Sequence, residues 1–65
     1  MEVQIFEIPD CQHLGDLLHF ESVIRNAGGI VDGHIYSEEF EEGWIRYRCP
    51  SLAIQRAVEI QLQTA

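Results

Sequence analysis

Lysine is missing altogether: the four basic side chains of this 65-residue chain are all arginine, set against eleven Asp and Glu for a formal net charge of −7. A duplex-binding protein shows the opposite balance, because neutralising phosphates supplies most of that affinity, so direct nucleic-acid binding is disfavoured. Long apolar runs are missing as well. None approaches the roughly 20 residues of a membrane span, and the N-terminus does not set a basic region before a hydrophobic one. A soluble, cytoplasmic protein is expected. Cysteine is scarce too, and Cys11 and Cys49 do not make the kind of framework that staples small secreted domains. No glycine-rich phosphate loop, nucleophile and base at a telling spacing, or metal cage appears. No catalytic residue and no cofactor is assigned, and the chain reads as non-enzymatic.

Of what is present, a hydrophobic content of 46% is ordinary for a globular domain and too high for a disordered one. Residues 1–65 read as one domain. A chain this short buries only about 60% of its unfolded surface, and association is a common way to gain the last few kcal/mol. A homodimer is therefore expected before any motif is considered. The excess of negative charge aids solubility, and it also offers an acidic surface to a basic partner.

The organising stretch is Gly28 to Pro50, GGIVDGHIYSEEFEEGWIRYRCP, which reads as a β-hairpin. Ile30–Tyr36 and Trp44–Cys49 are rich in strand formers. Between them lies SEEFEEG, a solvated turn carrying Glu38, Glu39, Glu41 and Glu42 around an exposed Phe40. Because side chains alternate along a strand, Ile45, Tyr47 and Cys49 are expected to face the core, and Trp44, Arg46 and Arg48 to face away. On the partner strand the same alternation assigns Val31, Gly33 and Ile35 inward and Ile30, Asp32, His34 and Tyr36 outward.

Upstream, Glu2–Ile8 is a strand that Pro9 ends, with neither face cleanly polar. Asp10 is placed as the N-cap of a helix running to about Ala27, where Gly28-Gly29 stops it. Its apolar stripe is His13, Leu17, Phe20, Ile24 and Ala27, widened by Leu14 and Leu18. Downstream, Pro50 suits the first helical position, and a second amphipathic helix buries Ile54, Ala57, Val58 and Leu62.

The order β-α-β-β-α predicts an α+β domain with a three-stranded antiparallel sheet in the order 1-3-2 and both helices on one face. This architecture resembles a ferredoxin-like split βαβ lacking its last strand, a superfold that hosts many unrelated functions. The missing strand leaves strand one an unpaired edge beside the gap. The same topology sets Cys11 and Cys49 at opposite ends, about 17–20 Å apart, beyond the ~4.4–6.8 Å of bridged Cα atoms.

Three surfaces then compete for function. Cys11 and His13 sit in the first strand-to-helix turn, where a helix N-terminus can activate a thiol, which makes a metal or redox carrier one alternative. A lone C-x-H offers too few ligands for it. The acidic turn suggests a second alternative, an anionic, nucleic-acid-mimicking inhibitor of a basic nucleic-acid-handling protein. The strongest candidate is the uncovered sheet face, expected to carry Tyr36, Trp44, Arg46 and Arg48, with Phe6 and Ile8 joining from strand one and Phe40 at its end. Aromatics with arginine and without lysine are the composition of a protein interface core. A protein-binding or regulatory module acting through that face and the strand-one edge is the leading expectation.

Overall fold

The computed structural model describes residues 2–65. Strand β1 (Val3–Ile8), helix α1 (Leu14–Asn26), strands β2 (Ile30–Ser37) and β3 (Glu42–Arg48) and helix α2 (Leu52–Thr64) follow in the expected β-α-β-β-α order. The sheet is antiparallel in the order β1-β3-β2. Leu17 and Ile24 of α1 and Val58 of α2 close over Ile8, Ile45 and Tyr47, and these residues with Cys11 form the core. Both helices therefore cover one face of the sheet and leave the other open.

Helix ends obey local chemistry, with boundaries a few residues from those expected. Asp10 does not cap α1; it takes a left-handed φ of 54° in the turn after Pro9, and His13 is the N-cap, with no side-chain cap bond. His13 is exposed instead of filling the helix's apolar stripe. The C-terminus of α1 is a Schellman turn: Gly29 N–H bonds Ile24 O at 2.9 Å, Gly28 N–H bonds Arg25 O at 3.0 Å, and Gly28 supplies the φ of 101° that the motif needs. Pro50 lies before α2 and not within it. Ser51 is its N-cap, and the Ser51 hydroxyl accepts from Ile54 N–H at 3.2 Å.

The largest departure from simple alternation is a β-bulge in β2. Val31 pairs with Tyr47 and Gly33 with Arg46, so Asp32 is an extra residue opposite β3. One inserted residue turns every later side chain to the other face. Gly33 and Ile35 therefore pair with the outward Arg46 and Trp44, while His34 and Tyr36 pair with Ile45 and Gly43 on the helix side. Tyr36 is thus removed from the open face. Phe6 and Ile8 are removed too, because they pair with Ile45 and Gly43. Ile8 is buried in the core, and Phe6 stacks at a tilt on Phe20 of α1 with ring centroids 5.3 Å apart. The outward residues of β1 are Val3, Ile5 and Glu7, set against Arg48, Arg46 and Trp44.

Candidate protein-binding face

β3 runs through the middle of the sheet and sends Trp44, Arg46 and Arg48 to the open side, as alternation requires. β1 adds Val3 and Ile5 to one flank, and β2 adds Ile30 and Ile35 to the other. With no helix above them, Ile5 stays 61% and Ile35 65% exposed. Exposed apolar side chains gathered on one face, unlike ones scattered singly, mark an interaction site. Ile5, Gly33, Ile35, Trp44 and Arg46, with His34, line a shallow trough of about 380 Å³. Its floor is Gly33, where an added Cβ would meet no atom within 4 Å.

The two arginines of this face differ in their electrostatics. Arg48 is clamped onto the bulge residue: Nη2 donates to Asp32 Oδ1 at 3.1 Å, and Nε lies 2.8 Å from Oδ2 in an ion contact without an aligned hydrogen bond. This pair pins the bulge from the open side. Arg46 is exposed and has no acidic partner among the described residues, so its guanidinium is available to a ligand or partner.

A second constellation lies on the helix side and was not anticipated from the sequence. Glu21 of α1, only 4% exposed, sits between Leu17 and Ile24 on the buried stripe. Its Oε1 meets His34 Nδ1 at 2.5 Å, and its Oε2 accepts from Arg25 Nη1 at 3.5 Å. A carboxylate on a core stripe must find partners, and the bulge supplies one by turning His34 inward. The triad ties α1 to β2. Its two partners satisfy the Glu21 carboxylate, which makes the group a structural clasp.

The first turn and the hairpin turn meet at the other end of the molecule. Cys11 N–H donates to Glu41 O at 2.7 Å, and Tyr36 Oη donates to Gln12 O at 3.0 Å. Asp10, Glu38, Glu39 and Glu41 therefore gather at one end, with Glu42 just inside β3 and Phe40 exposed at 69%. Partial burial and then the Glu38 charge push the Tyr36 phenol above its ordinary pKa. Cys11 is buried, with its Sγ directed to His13 O at 3.5 Å and packed beside Gly43. His13 points to solvent instead, so the two potential ligands are not brought together. Among the described residues no three metal-binding side chains cluster, and both thiols are free. No helix among them is long and apolar enough to cross a membrane.

No protein-family model, curated protein or solved structure matches the chain.

Proposed function

We propose that the chain is a non-enzymatic protein-binding module that docks a partner through the open face of its sheet, flanked by the free edge of β1. The observation that carries this reading is the exposed apolar set on the open face, with Ile35 beside Trp44, Ile5 beside Arg46 and Val3 and Ile30 flanking Arg48, and with Arg46 lacking an acidic partner among the described residues. Apolar anchors beside an aromatic and an arginine are what binding hot spots are made of. The edge of β1 adds a row of backbone donors and acceptors open to strand addition.

Trp44→Ala tests the reading. Loss of a central aromatic anchor costs about 2–4 kcal/mol of binding, while folding, driven from the helix side, is expected to suffer less. The paired measurement is thermal stability at high dilution alongside self-association and capture of partners from cell extract. An unfolded Trp44→Ala monomer, or self-association and capture identical to wild type, would overturn the reading.

A second reading is favoured by the bond from Cys11 N–H to Glu41 O, which gathers the carboxylates of two turns at one end. That end would imitate nucleic-acid phosphate toward a basic, nucleic-acid-handling protein. Replacing Glu38, Glu39, Glu41 and Glu42 with glutamine is then expected to weaken binding and its salt dependence together. Unchanged binding by the quadruple variant removes this reading.

A further inference from the structure

Three strands about 4.8 Å apart and some seven residues long at about 3.3 Å per residue give the open face a flat footprint of roughly 330 Å². Side-chain relief enlarges this, but the face stays at the small end of interfaces, where stable complexes use about 800 Å² per partner. Affinity from so small a face depends on close complementarity. The pairing register sets two adjacent rows across its centre: Glu7, Trp44 and Ile35 in one, Ile5, Arg46 and Gly33 in the next. The first row projects an indole, an exposed isoleucine and a carboxylate. The second offers a guanidinium with no acidic partner among the described residues and a hollow over Gly33. Trp44 and Ile35 of the first row complement Arg46 and the hollow of the second, while Glu7 is set against Ile5.

We infer that the partner of the open face is a second copy of this chain, packed face to face about a two-fold axis that crosses the strands between those two rows; this rests on the docking reading above. The rotation lays the first row of each copy on the second row of the other. Arg46 then lies over Trp44 of the second copy, a cation–π contact, with Glu7 of that copy one strand, about 4.8 Å, to the side. Ile35 enters the hollow over Gly33 of the second copy. Every contact occurs twice, as an isologous interface requires, and the two sheets lie aligned as in a β-sandwich. The other two-fold that keeps the strands aligned, parallel to them and over β3, would set Arg46 against Arg46 and bring the two acidic hairpin turns together. The crossing axis sends those turns, each with Glu38, Glu39 and Glu41, to opposite ends of the dimer. Of these two aligned arrangements, charge thus selects the first.

Sedimentation velocity of the full chain, over about 5 to 500 µM, tests this; the small face predicts a monomer at the low end and a dimer at the high end. Arg46→Glu and Glu7→Arg are each expected to raise the dimer dissociation constant at least about tenfold by setting like charges together, and the double charge swap to return it to within about threefold of wild type. Gly33→Leu fills the hollow and is expected to weaken the dimer by a similar factor without lowering the monomer's melting temperature. A monomer at the highest concentration, or a dimer that ignores these substitutions or is not rescued by the swap, overturns the second-copy assignment. If such a monomer still captures another protein in a Trp44-dependent way, the docking reading stands without it. If Trp44→Ala changes neither self-association nor capture, both fail.

Discussion

At the scale of single residues, two glycines of the same sheet meet opposite surroundings. A Cβ on Gly43 would stand 3.0 Å from Leu17 Cδ1 and 3.2 Å from Cys11 Sγ, whereas one on Gly33 would meet nothing within 4 Å. Gly43→Ala is therefore expected to destabilise the fold by about 1–3 kcal/mol through overpacking. Gly33→Ala is expected to be neutral or to stabilise by about 0.4–1 kcal/mol, because it only restricts the unfolded chain. Chemical denaturation of the two variants checks the contrast, and equal losses would contradict it. Glu21 supports a second prediction of the same kind. Removing His34 leaves a buried carboxylate with only the 3.5 Å contact to Arg25, while removing Glu21 leaves two side chains that reach solvent. His34→Ala is expected to cost about 1–3 kcal/mol, and His34→Ala combined with Glu21→Leu to recover most of it. The denaturation midpoints of the single and double variants measure this coupling.

Among the secondary-structure elements, the caps of the two helices are unequal. Ser51 closes the first turn of α2 with its hydroxyl, while His13 gives α1 no side-chain bond. Ser51→Ala is expected to cost about 1 kcal/mol, and His13→Ser to gain about 0.5–1 kcal/mol, both read from thermal melts. These ends also mark how far the fold was legible. The five elements, their order and the sheet topology follow from hydrophobic period and turn residues, and the inward placement of Ile45 and Tyr47 follows from alternation along β3. Alternation failed on β2 because it assumes an unbroken ladder. Gly33 inside a strand pattern is the sequence sign of a bulge, and the inserted residue takes Tyr36 off the open face and Ile35 out of the core. On β1 both faces are apolar, so period alone could not choose between Phe6 with Ile8 and Val3 with Ile5; the pairing to β3 chooses. Glu21, one helical turn from Leu17 and three residues before Ile24, was a charge on a core stripe. Its meaning depended on His34, whose inward turn the sequence pattern alone did not disclose.

For the molecule as a whole, the pH dependence of stability joins the core to the surface. Burial, and after it the charges of Cys49 and Glu59, raise the Tyr47 phenol above 10.0. Burial and then Glu59 raise the Cys49 thiol above 9.0, and Tyr36 is raised likewise. Groups raised in the folded state favour folding in their neutral form. Their contribution is fully present below the unfolded values and is lost as pH rises through the folded ones. Melting temperature is thus expected to be insensitive to these three groups near neutrality and to fall in alkali, less steeply for Tyr47→Phe. A Tyr47→Phe variant that falls as steeply as wild type would contradict this assignment.

The central claim, that the open sheet face is a docking surface and that a second copy of the chain occupies it, is tested most directly by recording amide chemical shifts of the labelled chain while it is diluted from about 1 mM to about 20 µM, a range that brackets weak association. Shifts confined to Val3, Ile5, Glu7, Gly33, Ile35, Trp44 and Arg46 are expected, with the Trp44 indole among the largest. Shifts gathered instead on the exposed apolar residues of the helices, Leu14, Leu18, Leu52 and Ile60, would contradict it.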